Sequence, residues 1–245
     1  MIADIPNEEL LDKDEVIARI RAAVADKRPF ALVRIGDGEN FVLSQDSVYT
    51  MEQVLHQTWV KEANKGRKGV KLPNIEIRDR MVEAIKEADI VGVLTNGDRT
   101  IMAHHSHKRV MTNQIFNYFK LKPDYLCSAI VNRDFIRYSP FWDMLHEEGA
   151  RLALVSRWAG GMKQRLIRPP YNLNVAFTLP FERYEMMEET LAILEERKNT
   201  YDVVLCSCGV NAVVLSHQIA KRIGKIGIDF GIGTQIISSV PINKP

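Results

Sequence analysis

The sequence predicts an α/β fold, Rossmann-like, with a mostly parallel sheet and helices on both faces. Two observations carry this. Short apolar runs of strand length alternate along the whole chain with amphipathic stretches of helical spacing. The strand candidates are continuously apolar rather than alternating in polarity, the pattern of strands buried on both faces. A third observation bears on function: several strand ends are polar or glycine-rich, and open α/β sheets bind ligands beyond the carboxyl ends of their strands.

The elements follow in order. Residues 14–25 place Val16, Ile17, Ile20 and Val24 at helical spacing, and Pro29 ends that stretch. FALVRI (30–35) is a buried strand that stops in Gly36-Asp37-Gly38-Glu39. Residues 51–63 carry Met51, Val54, Leu55 and Trp59 on one helical face, and NKGRKG (64–69) is a loop. A helix over 77–88 presents Met81, Val82 and Ile85. DIVGVLTN (89–96) is a strand that stops at Gly97-Asp98, and a helix runs on to Lys120 through Ile115, Phe116 and Phe119. YLCSAIVN (125–132), ARLALVS (150–156) and YDVVLCS (201–207) are further strands, and 182–197 and 211–223 are helices. GKIGIDFG (224–231) is the last strand, read as closing the sheet with no amphipathic helix after it. The basic stretch RWAGGMKQRLIRPP (157–170) reads as a loop, either solvated or mobile enough to close over a phosphorylated donor.

A chain of 245 residues with no compositional break is read as one domain, 1–245. Hydrophobic residues at 46% and charged residues at 26% exclude a disordered chain, a collagen-like repeat and a disulfide scaffold. Lysine and arginine total 33 against 31 acids, so a net +2 excludes binding to bulk nucleic acid through the overall field. Three cysteines in apolar runs read as buried free thiols of a reducing compartment. The acidic start MIADIPNEELLDKDE is no signal peptide, and no apolar run approaches a membrane span. A cytoplasmic protein is the expectation, and a homo-oligomer is left open.

Four strand ends carry candidate chemistry: RIGDGEN (34–40), TNGDRT (95–100), SCGVN (207–211) and IDFGIG (228–233). Asp37 and Glu39 flank one glycine. In an extended or turning segment they point to one side, as ligands of a hard divalent cation that draws its other oxygens from water and phosphate. The same residues also read as a tight turn with two solvated acids. Arg34 stands in an apolar strand, so it either pairs with an acid or reaches a diphosphate. GxxxxGK[ST] and a strand–GxGxxG–helix are both absent, which excludes a P-loop and the nicotinamide fingerprint. His104, His105 and His107 lack acidic or cysteine partners at zinc spacing and read as a polar loop near an anion. Cys206 and Cys208, with no CxxC, read as buried thiols, and Met186 and Met187 as filler.

With those residues in view the chain resembles the GT-D-type glycosyltransferases. RIGDGEN is similar to their R-x-G-D-G-E segment with its D-x-E metal motif. IRPPYNLNVAF (167–177) and CSCGVNAVVLSHQIAKRIGKIGIDFG (206–231) resemble the family's later segments in the same order. The resemblance implies transfer of a sugar from a nucleotide-sugar, typically a UDP-sugar, to a glycan or glycoprotein acceptor in surface-glycan biosynthesis, with Mn2+ or Mg2+. It makes Asp37 and Glu39 the metal ligands. Arg34, Gly36 and Gly38 are then expected to hold the donor, with Asn96, Gly209 and Asn211 at the neighbouring strand ends. Asp98 and Asp229 are the two candidates for the acid–base role, and the choice between them stays open. Ile232 stands where the family often has histidine. A catalytically silent nucleotide-binding module shares these features. A methyltransferase using S-adenosylmethionine fits less well, because two carboxylates in the first loop are poor surroundings for that cofactor's own carboxylate.

Overall fold

The computed structural model describes residues 9–239. Its seven strands are β1 (Phe30–Ile35), β2 (Ile90–Val93), β3 (Leu126–Ser128), β4 (Arg151–Val155), β5 (Asn174–Leu179), β6 (Val203–Cys206) and β7 (Ile226–Asp229). They form one sheet in the order β3-β2-β1-β7-β6-β4-β5, with every pairing parallel.

The period of two sorts each strand between two apolar layers. β1 sends Ala31, Val33 and Ile35 to one face and Phe30 and Leu32 to the other. β4 and β6 repeat this, with Ala153, Val155, Val204 and Cys206 on the first face and Leu152, Leu154, Val203 and Leu205 on the second. The first face is covered by helices that include Asp37–Leu43, Ile75–Glu87, Arg109–Phe119, Met187–Glu196 and Asn211–Gln218. The second is covered by Lys13–Ala25, Val131–Arg137, Ser139–Glu147, Ala159–Leu166 and Gly233–Ser239. The α/β class read from the sequence is the observed one.

Several local expectations change. The last strand does not close the sheet. β7 sits in its centre between β1 and β6, and the helix Gly233–Ser239 follows it. The stretch 157–170 is not a loop throughout, because the helix Ala159–Leu166 buries Ala159, Met162 and Leu166. The helical face over 51–63 is two helices, Met51–His56 and Thr58–Glu62, broken where Gln57 is extended. β5 went unread although Val175-Ala176-Phe177 is an apolar run; it lies at the sheet edge with most of its residues only half-buried. The cysteines Cys127, Cys206 and Cys208 are free and buried, as expected. Among the described residues no helix is long and apolar enough to cross a membrane.

One glycine sets the seat of the first layer. A Cβ on Gly227 in β7 would fall on the backbone of Ser216, so the helix Asn211–Gln218 lies directly against the central strand. Neither backbone can yield without opening the core. Gly227→Ala is therefore expected to destabilise the protein by about 3 kcal/mol, the upper range for overpacking. Urea unfolding measures this, and a midpoint like that of the wild type would show that the helix is not seated there.

Candidate functional site

The strands all point the same way, so their carboxyl ends and the segments that follow gather on one side of the sheet. There they line a cleft of about 420 Å3. It straddles β1 and β7, the point where the strand order reverses direction and where open α/β sheets bind ligands.

Arg34 forms the floor. Its guanidinium donates to the Asp229 carboxylate at 2.7 Å and the Asp229 carbonyl at 2.9 Å. It also donates to the Ala129 carbonyl at 2.7 Å and Asn132 Oδ1 at 3.0 Å. Asn132 in turn donates to the Phe230 carbonyl at 3.0 Å. The side chain thus clamps β1 to β7 and to the segment after β3. Burial raises the Asp229 carboxyl, and the Arg34 charge and the Gly231 amide, which donates at 3.0 Å, partly offset it. Gly231, at φ +53°, leaves room for the guanidinium, where a Cβ would collide with it.

Asp37 and Glu39 are the first and third residues of the helix Asp37–Leu43, not members of a loop. Gly36 is extended at the N-cap and its N–H donates to Glu39 Oε2 at 2.8 Å, so Glu39 caps its own helix. Residues two apart on a helix point about 200° apart, so the two carboxylates do not act as a side-by-side pair. Glu39 folds back toward the floor. There burial and the neighbouring Asp229 push its carboxyl up to about 7, with Arg34 partly offsetting them. Asp37 lies toward His107, whose ring burial and His104 hold below the usual range while Asp37 acts in the opposite direction. Gly38 is required because a Cβ would enter the Trp59 indole, which covers the helix start and stacks on Phe41 at 5.9 Å.

The other expected residues divide. Gly209, at φ +62°, lines the cleft with Arg34, Gly36, Asp37, Gly38 and Glu39. Asn211 is fully buried and acts as a brace. Its Nδ2 donates to the Gly69 carbonyl at 2.9 Å and the Cys208 carbonyl at 3.2 Å, while Oδ1 has no partner. Through it the segment that holds Lys68 and Gly69 is fixed to the end of β6. Asn96 is exposed and Asp98 lies outside the cleft. Asp98 borders a separate cavity of about 90 Å3, where it accepts from the Thr100 hydroxyl at 2.6 Å and Lys108 at 3.3 Å. Burial alone would raise the Asp98 carboxyl, but these bonds and the Thr100 and Ile101 amides hold it below the ordinary value. The structure thus does not bring Asp98 to the reacting region, and it spends the Asp229 carboxylate on Arg34. The histidine cluster forms a short helical turn, His105–His107, and does not line the cleft.

Reading the sequence missed Trp59, Lys68, Arg133, Trp158 and Glu182 as cleft residues. Arg133 stands in the first turn of the helix that follows β3 and Trp158 in the segment between β4 and the next helix, placements that would have found them once every strand end was treated alike. For the cation implied by the D-x-E motif, the donor set can be tested. Among the described residues no group of three or more histidines, cysteines or acids gathers in a metal-binding arrangement. Asp37 and Glu39 therefore form no cage of their own, and a cation held by them would have to draw most of its oxygens from water or a ligand.

Two outcomes follow. The Glu39 carboxyl is neutral below its unfolded value near 4.5, and its raised folded value means that stability is lost as pH rises toward 7. Glu39→Gln removes that loss, so the variant's melting temperature should gain on the wild type between pH 4.5 and 8, by several degrees at about 2–4 °C per kcal/mol for a chain of this size. A difference independent of pH would refute the raised carboxyl. Arg34→Lys keeps the charge but cannot reproduce the forked contacts, so urea unfolding should show a loss of about 3 kcal/mol; an unchanged midpoint would mean the clamp is not structural.

The comparisons with known proteins agree with this geometry. The model of the GT-D-like family, described as a GT-D fold-like domain, matches residues 11–237. A search of curated proteins finds no sequence match. Two solved structures share the fold. One is a selenomethionine-substituted domain of unknown function, DUF1792. It is 16% identical with a TM-score of 0.59, covering 91% of this chain and 78% of its own. The other is a glycosyltransferase (DUF1792) from Streptococcus sanguinis, 13% identical with a TM-score of 0.53, covering 91% of this chain and 81% of its own. With its R-x-G-D-G-E segment at the floor of the cleft and the family match spanning nearly every described residue, the chain belongs to the GT-D-like family.

Proposed function

We propose that this GT-D-type glycosyltransferase moves a sugar from a UDP-linked donor to a hydroxyl of a glycan or glycoprotein acceptor, in surface-glycan biosynthesis, with Mn2+ or Mg2+. One observation supports the reading most. The helix start that presents Asp37 and Glu39 opens into a cleft that Arg67 and Lys68 also line, an arrangement suited to a diphosphate beside a cation.

In the reaction the bond from the sugar C1 to the diphosphate oxygen breaks and the electron pair leaves on the diphosphate. The acceptor oxygen bonds to C1 and its proton passes to a base. The cation, when bound, supplies Lewis-acid neutralisation of the leaving charge. Asp37 and Glu39 would hold it. Lys68 and the amides around Gly209 would take phosphate oxygens, and the Trp59 indole offers a flat face to the donor. For the proton, Glu182 is the lining acid outside the Asp37–Glu39 pair, and it is exposed without a side-chain partner among the described residues. It is better placed as a base than Asp229 or Asp98, whose carboxylates are taken up by Arg34 and by Thr100 and Lys108. That same occupation of both strand-end acids favours a second reading, a nucleotide-binding module without turnover. Slow hydrolysis of a UDP-sugar by the purified protein supports the enzyme, and its absence under saturating donor and manganese supports the silent module.

Two carboxylates make a poor cage, so donor and cation should bind cooperatively. UDP with manganese is expected to raise the melting temperature by several degrees, more than the sum of the separate shifts. In Asp37→Asn the excess should vanish. Strictly additive shifts in the wild type, or an undiminished excess in the variant, would overturn a cation bridging nucleotide and protein here.

A further inference from the structure

The cleft has two banks of different origin. Asp37, Trp59, Lys68, Glu182 and Gly209 belong to segments that pack in the first apolar layer. Arg133, Arg157, Trp158 and Ile232 belong to segments that enter the helices of the second layer, Val131–Arg137, Ala159–Leu166 and Gly233–Ser239. β1 and β7 run between the banks.

The charges are divided unequally. All three acids that line the cleft, Asp37, Glu39 and Glu182, come from the first bank. The second bank contributes Arg133 and Arg157 and no acid. Neither guanidinium takes part in an ion pair or side-chain hydrogen bond among the described residues. Two arginines facing one cleft without counter-charge suit an anion that both can fork onto. Beside them Trp158 is 47% exposed and Ile232 46% exposed, an unusual apolar surface for side chains of this size. An exposed indole next to arginines is a platform for the apolar face of a sugar ring.

We infer that the second bank is the acceptor subsite and that its acceptor is an anionic sugar, a ring stacked on Trp158 with a phosphate or carboxylate gripped by Arg133 and Arg157. The inference rests on the glycosyltransferase reading in placing the nucleotide diphosphate on the first bank, where the D-x-E helix start and Lys68 stand. The incoming sugar hydroxyl then approaches from the opposite side of the β1–β7 line. Sugar phosphates and uronates share the required chemistry.

The test is calorimetric titration of the protein, saturated with UDP and manganese, with glucose 6-phosphate, glucuronate and glucose. At least one acidic sugar should bind tenfold or more tightly than glucose, and which one does so separates phosphate from carboxylate. Arg133→Gln and Arg157→Gln should each weaken that binding about fivefold to tenfold. Lys86→Gln, on the helix Ile75–Glu87 outside the cleft, should leave it as it is. Arg157 is exposed, so its variant tests the subsite without touching the core. Three results would overturn the inference: both acids binding no tighter than glucose, acid binding that UDP displaces, or a preference that survives both arginine substitutions. The titration repeated without nucleotide isolates the arginine pair. Failure of UDP and manganese to bind together then strikes the donor reading, while loss of acid binding strikes the acceptor subsite.

Discussion

The Arg34–Asp229 ion pair is the interaction on which the site depends. A guanidinium at the end of an apolar strand is costly to bury, and it is tolerated because each contact it makes is a charge-assisted or carbonyl hydrogen bond of good length. The pair joins the two central strands, β1 and β7, and reaches the segment after β3. It also sets the electrostatics above it. Burial raises the Glu39 carboxyl most, and the pair beneath it acts both ways, with Asp229 raising it further and Arg34 lowering it. Gly231 is part of the same device, because only a residue without a side chain leaves the guanidinium its place.

From that pair the two-sided cleft follows. With β1 and β7 in the centre and every strand parallel, helices from both layers start at the same edge of the sheet. The segments after β1, β5 and β6 rise on one side and those after β3, β4 and β7 on the other. A site of this kind can bind two different partners without one bank having to recognise both. Among the described residues the acids that line the cleft stand on one bank, and Arg133 and Arg157, without ion pairs, on the other.

Much of this was legible in the sequence, and the reasons are local. Continuous apolar runs such as FALVRI and YDVVLCS announce strands buried on two faces, and their order with the intervening helices gives the parallel class. Arg34 in such a run already demanded a partner. What could not be read was spatial. Asp229 lies 195 positions away from Arg34, and only the insertion of the last strand into the sheet centre brings them together. β5 carries the apolar run Val175-Ala176-Phe177 but was read only as part of a motif segment, and it lies half-buried at the sheet edge. The helix Ala159–Leu166 was hidden by two adjacent glycines, one of which packs against Ser238. Asp98 looked equivalent to Asp229, since each ends a strand, but Thr100 and Lys108 turn it into its own loop.

The helical state of Asp37-Gly38-Glu39 changes what the motif can do. In a loop the two acids would be interchangeable ligands. At the first and third positions of a helix they face differently, and the N-terminal end favours negative charge on both. Glu39 spends one oxygen on the Gly36 amide and so fixes the helix start at the strand end. Asp37 has no such duty and lines the cleft. The carboxylate that fixes the helix start and the one left free at its first position are therefore different residues. A cation that found only these two oxygens would be held weakly, and the diphosphate of a donor would complete its surroundings.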